Sequence, residues 1–199
     1  MEINGFKLIP GALDADAQAS LVRTVLAAAD AAPFYRPVTP SGKPMSVLQT
    51  SFGPLGWMTD RGGYRYAPNH PGTGAPWPAM PEVLLALWRR FAPGSPLPDS
   101  CLINRYGPEA KMGLHQDADE LDFAVPVLSV SLGDTAVFRL GGLSRSDPTR
   151  TVRLSSGDVC LLAGPSRRFF HGVDRILAGS SRLIPGGGRI NLTMRRANV

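Results

Sequence analysis

The spacing of apolar positions changes near residue 100. Before it, the period is helical. Leu21, Val22, Val25 and Leu26 share one face of a segment that Asp14 or Asp16 can cap and that runs to about Ala32, where Pro33 stops it. A second helix is expected over 82–91, opened by Pro81 and carrying Arg89 and Arg90 near its C-terminal end. Residues 34–80, between the two, are crowded with Pro, Gly and aromatic residues. Only short extended pieces fit there, such as 45–50 and 64–66, and the stretch reads as a lid or binding loop. From Ser100 onward the period is two. Strands are expected at 101–106, 127–132, 136–140, 151–154, 159–162, 169–173 and 190–195, punctuated by Gly, Asp and Pro at sandwich or barrel spacing. The pattern predicts a mainly β (α+β) chain, an antiparallel double sheet braced by N-terminal helices.

Composition narrows this only a little. The 199 residues fit one domain, 1–199, and 43% hydrophobic content supports a real core. No apolar run reaches the ~18 residues of a membrane span. The opening Met1-Glu2-Ile3-Asn4-Gly5 has neither a basic nor an apolar leader region, so a cytoplasmic protein without membrane association is expected. Cys101 and Cys160 lie in apolar, strand-like runs and read as two buried thiols suited to a reducing compartment. The net charge is +5, and the only lysines are Lys7, Lys43 and Lys111. Arg suits bidentate phosphate recognition, but GC-rich coding favours Arg equally, so the charge permits nucleic acid without diagnosing it.

The chemistry sits in three residues. His115 and Asp117 form an H-x-D pair, and His171 follows 54 residues later. Two imidazoles and one carboxylate are the facial ligand set of non-haem Fe(II), which leaves the opposite positions open to O₂ and an organic co-substrate. An isolated H-x-D recurs by chance, so the surroundings matter. Strand alternation puts Leu102, Asn104 and Tyr106 on one face, and Arg189, Asn191, Thr193 and Arg195 on one face opposite Ile190, Leu192 and Met194. Such a polar face is either a solvated exterior or an interior that receives a dicarboxylate. In the second case Arg189 clamps one carboxylate, Arg195 sits near the other, and Asn104, Tyr106 and Asn191 add neutral hydrogen bonds. 2-Oxoglutarate is such a dicarboxylate.

Several ordered stretches carry a resemblance: Leu102-Ile103-Asn104-Arg105-Tyr106, His115-Gln116-Asp117-Ala118-Asp119-Glu120, Ser129 to Gly133, Phe138 to Arg145, Ser156-Gly157-Asp158-Val159, His171-Gly172 and the Arg189-x-Asn191-x-Thr193-x-Arg195 ending. Upstream, Val38-Thr39-Pro40, Met45-Ser46-Val47, Leu55-Gly56-Trp57 and Pro76 to Pro81 belong with them. Over roughly residues 30–196 the chain resembles the bacterial AlkB family of alkylated-DNA dioxygenases. The resemblance implies a double-stranded β-helix (jelly roll) at about 100–196 and a nucleotide-recognition lid at about 34–80. It implies Fe(II) on His115, Asp117 and His171, with 2-oxoglutarate and O₂ as co-substrates. It implies 2-oxoglutarate held by Leu102, Asn104, Tyr106, Arg189, Asn191 and Arg195. Trp57 and the His115 ring would sandwich a flipped base, Asp119 and Glu120 would lie near it, and Thr39, Tyr64 and Arg145 would contact the nucleotide's phosphate or surroundings. The implied reaction is oxidative removal of alkyl groups from 1-methyladenine and 3-methylcytosine in single- or double-stranded DNA, with RNA as a further substrate, by a monomer.

Three positions depart from the family pattern: Ala118 where basic residues are common, Gln49 where an apolar side chain is expected, and Leu162 where an aromatic is familiar. They bear on preference and affinity rather than on chemistry. Two other readings compete: an oxygenase of the same fold acting on a small molecule or protein, and a jelly-roll binding module without catalysis.

Overall fold

A computed structural model describes residues 1–198. The chain opens with β1 (Glu2–Ile3) and β2 (Phe6–Ile9), enters α1 (Ala15–Ala28), and then forms β3 (Leu48–Phe52) and the hairpin of β4 (Gly56–Asp60) and β5 (Gly63–Ala67). After α2 (Glu82–Phe91) come β6 (Ser100–Tyr106), β7 (Met112–His115), β8 (Val127–Gly133) and β9 (Thr135–Leu140). The chain ends with β10 (Arg150–Leu154), β11 (Val159–Leu162), β12 (His171–Leu177) and β13 (Arg189–Arg195).

The strands form two facing sheets, as a jelly roll requires. The larger has the order β1-β2-β11-β8-β13-β6-β3, and the smaller β10-β9-β12-β7. The β4–β5 hairpin stands apart as a two-stranded sheet. Two apolar clusters flank the larger sheet. On one side Ile103, Leu128, Val130, Ile190, Leu192 and Met194 pack with Leu21, Val22 and Val25 of α1 and Leu84, Leu87 and Trp88 of α2. On the other, Tyr106, Val127 and Cys160 pack with Phe138, Leu140 and Val152 of the smaller sheet. The helices therefore cover the apolar face of β13 and turn its polar face inward. Arg189 and Arg195 are only 1% and 6% exposed, which excludes the solvated exterior.

Asp14 caps α1 by accepting from the Ala17 N–H at 2.8 Å. The helix ends four residues before the expected Ala32. The chain tightens there into turns that bury Ala32 with Met58 and Trp77, and the Ala32 carbonyl accepts from Thr50. Three further expectations shift. The strand expected at 45–50 is β3, displaced toward the C-terminus and paired with β6, so it belongs to the large sheet rather than to the lid. The strand expected at 169–173 starts at His171, because residues 164–168 form a 3₁₀ turn. β1, β2, β4 and β7 are too short, or too glycine-rich, to stand out in the sequence. Among the described residues no helix is long and apolar enough to cross a membrane.

Candidate active site

β7 and β12 bring the two histidines together. His115 ends β7, His171 begins β12, and the two are direct cross-strand partners. Asp117 follows two residues after β7, on the loop that leaves the sheet. One ligand atom from each of the three residues lies within 4.8 Å of the others. His115 Nε2 stands 3.9 Å from Asp117 Oδ1, and His171 Nε2 stands 3.7 Å from Asp117 Oδ2.

The protonation of the rings follows from their partners. His115 Nδ1 donates to the Gly113 carbonyl and His171 Nδ1 to the Phe169 carbonyl, each at 2.9 Å. A carbonyl only accepts, so Nδ1 carries a proton in each ring and Nε2 is the nitrogen turned toward Asp117 and any third party. Burial, helped by the neighbouring His115, pushes His171 down to about 4, so its ring is neutral. Burial opposes the charge on Asp117, but Arg195, His171 and His115 outweigh it and hold the carboxyl well below the usual range. Two imidazole nitrogens beside a fixed carboxylate match a divalent first-row metal.

A cavity of about 630 Å³ opens over this cluster. The expected co-substrate residues Leu102, Asn104, Tyr106, Arg189, Asn191 and Arg195 all line it. Arg189 lies at its buried end. Its guanidinium donates to Ser131 Oγ (2.7 Å), Asn191 Oδ1 (3.1 Å) and the carbonyls of Leu154 (3.1 Å) and Asp134 (3.3 Å), and its Nε has no partner. No carboxylate pairs with it among the described residues. A buried cation held only by neutral oxygens fits an anionic ligand. Tyr106 is pushed up to about 12 by burial and remains a neutral donor. Arg195 acts differently. Its Nη2 donates to Asp117 Oδ1 at 2.7 Å, so it fixes a member of the His–Asp–His cluster.

The expected base-side residues divide. Thr39, Trp57, Tyr64, Asp119 and Arg145 all line the mouth of the same cavity. Trp57 stacks on Tyr64 with ring centroids 5.6 Å apart, and its Nε1 donates to Asp119 Oδ2 at 2.7 Å. Arg145 donates to the Leu114 carbonyl at 2.7 Å and lies over the Phe170 ring. Thr39 hydrogen-bonds Ser41 and the Lys43 carbonyl.

Glu120 corrects the expectation that it lies beside the base. It is 4% exposed and turned away from the cavity, accepting from Arg167 Nη2 at 2.9 Å and from the Tyr66 hydroxyl. Removing either partner would leave the other charge buried and uncompensated, so the pair holds Glu120 in this place. Sequence reasoning missed Arg167. It is 2% exposed and also donates to the Asp117 carbonyl (2.8 Å) and the Val125 carbonyl (3.0 Å), pinning the loop that carries Asp117. No spacing signal marks it, because its partners lie far along the chain.

Comparison with known proteins agrees with this geometry. Residues 5–195 match the 2OG-Fe(II) oxygenase superfamily. The chain is 61% identical over 197 residues to an alpha-ketoglutarate-dependent dioxygenase AlkB homolog of Caulobacter vibrioides, covering 99% of this chain and 90% of that protein. It is 46% identical over 186 residues to the alpha-ketoglutarate-dependent dioxygenase AlkB of Escherichia coli K12, covering 92% and 86%. Among solved structures, that of OsALKBH1 is similar with a TM-score of 0.83 and 31% identity, covering 98% of each chain.

Proposed function

Because the chain belongs to the 2OG-Fe(II) oxygenase superfamily, and within it to the AlkB dioxygenases, we propose that it oxidatively dealkylates 1-methyladenine and 3-methylcytosine in DNA, and in RNA as a further substrate. The observation that carries this reading is a single cavity joining the His–Asp–His cluster, the unpaired Arg189 and the Trp57 mouth.

His115, Asp117 and His171 would hold Fe(II) through two Nε2 atoms and a carboxylate oxygen. Bound there, with 2-oxoglutarate and O₂, the metal supplies the oxidising power that hydroxylates the N-alkyl carbon while the co-substrate becomes succinate and CO₂. The hydroxylated group then leaves as an aldehyde. Arg189 takes the far carboxylate of the co-substrate, and Tyr106, Asn104 and Asn191 offer hydrogen bonds along its length. Leu102 lines the cavity as an apolar contact. Arg195 and Arg167 hold Asp117 and its loop in place.

The target atom lies inside the base stack, so the base is flipped out or already unpaired. Trp57 and the His115 ring supply flat faces for it. Asp119 keeps one carboxylate oxygen free beside Trp57, placed to accept from an exocyclic amine and to favour the positive charge of the methylated base. Thr39, Tyr64 and Arg145 at the rim suit the nucleotide's sugar and phosphate. The β4–β5 hairpin, within 34–80, acts as the lid. The reading takes the chain to act as a monomer. Two buried free thiols support a reducing, cytoplasmic setting.

Incubating the protein with Fe(II), 2-oxoglutarate and a panel of alkylated single- and double-stranded oligonucleotides, read by mass spectrometry, tests the reading. Loss of the methyl mass with matching succinate is expected. Succinate without demethylation of any oligonucleotide would overturn it.

A further inference from the structure

Gln49 has no part in the assignments above. It is 1% exposed, yet it lines the cavity. It pairs directly with Asn104 across β3 and β6, and the same row continues through Asn191 on β13 to Ser131 on β8. The Gln49 Nε2 donates to Asn104 Oδ1 at 2.8 Å, while its own Oε1 is buried without a partner. A buried, unpaired amide oxygen is destabilising, and an apolar side chain of equal length would avoid it. The amide is therefore present for its donor.

That hydrogen bond engages the Asn104 Oδ1 and leaves the other end of the amide toward the cavity. With Oδ1 engaged by Gln49, the Asn104 Nδ2 protons have no protein acceptor among the described residues and are presented to the cavity. An anionic co-substrate needs donors there, and an Asn104 without the Gln49 hydrogen bond would have to fix its amide at the co-substrate's expense. We propose that Gln49 is a positioning residue for 2-oxoglutarate: its N–H locks the Asn104 amide with the donor toward the co-substrate. The proposal rests on the reading that Asn104 contacts 2-oxoglutarate.

The test is calorimetric titration of 2-oxoglutarate into the Mn(II)-loaded full-length protein, with Mn(II) affinity and thermal midpoint measured alongside. Gln49→Met keeps length and removes the donor. It should weaken 2-oxoglutarate binding about three- to tenfold, the scale of one hydrogen bond. Mn(II) affinity should hold, and the thermal midpoint should not fall, since the unpaired amide oxygen is removed. Gln49→Leu removes the donor without adding charge and should weaken binding to a similar extent. In an Asn104→Ala background, Gln49→Met should add less than about twofold. If Asn104→Ala weakens binding while both Gln49 variants bind normally, Gln49 has no such role and the co-substrate reading stands. If Asn104→Ala itself has no effect, the Asn104 contact falls, and the proposal falls with it. An undiminished Gln49→Met effect in the Asn104→Ala background would mark a general structural change and overturn the lock.

Discussion

His115 and His171 each commit their Nδ1 proton to a carbonyl and aim Nε2 at Asp117. Replacing any of the three by Ala should abolish turnover and lower bound iron with little loss of fold. Iron that stayed at one per chain in all three single variants, by atomic spectroscopy, would refute the assignment. Asp119 combines a hydrogen bond from Trp57 with a free oxygen, so Asp119→Ala should weaken action on the cationic 1-methyladenine and 3-methylcytosine by ~1–3 kcal/mol relative to 1-methylguanine and 3-methylthymine. Comparing kcat/KM for the four lesions in matched oligonucleotides decides it, and an equal loss on all four would mean that Asp119 only supports the loop. The His–Asp–His set and the inward face of β13 were legible because residue type and alternation carry them. Glu120 was misread and Arg167 missed for one reason: their pairing spans 47 positions of chain, and local pattern holds no trace of it.

At the level of strands, the site depends on how closely β7 approaches β12. Gly172 makes that approach possible: a Cβ there would stand 2.6 Å from the Met112 carbonyl oxygen and 2.9 Å from that of Gly113. Gly172→Ala should push the two strands apart, separate His115 from His171, and lower iron affinity more than it lowers the denaturation midpoint. Retained iron affinity, measured by chelator competition, would show that the strands tolerate the methyl. The long strands β6, β8, β9 and β13 were readable from period-two alternation. β7 was not, since four residues including a glycine give no period to detect. In the Pro- and Gly-rich stretch the extended piece expected at 64–66 is the centre of β5, while its partner β4 gave no pattern of its own.

Across the whole molecule, buried polar groups make stability depend on conditions. Burial pushes the Tyr35 phenol up to about 12, against about 10 in an unfolded chain. The unfolded state therefore loses its proton first, and the stability tied to Tyr35 is intact below pH 10 and declines as pH rises from about 10 to about 12. Among the described residues the Tyr35 hydroxyl has no hydrogen-bond partner, so Tyr35→Phe should cost little at pH 8 and flatten the alkaline decline in urea midpoints. An unchanged decline would assign it to other groups. Arg189 has a wider consequence. Among the described residues no carboxylate pairs with its enclosed charge, so on the proposed reading an incoming carboxylate would complete the ion pair. Ligand supply then governs persistence: a hundredfold excess over Kd adds about 2.7 kcal/mol to the folded state. Resistance to a nonspecific protease should climb with 2-oxoglutarate concentration, and Arg189→Met should be indifferent to it. Persistence of the chain would then follow 2-oxoglutarate supply through the fold itself.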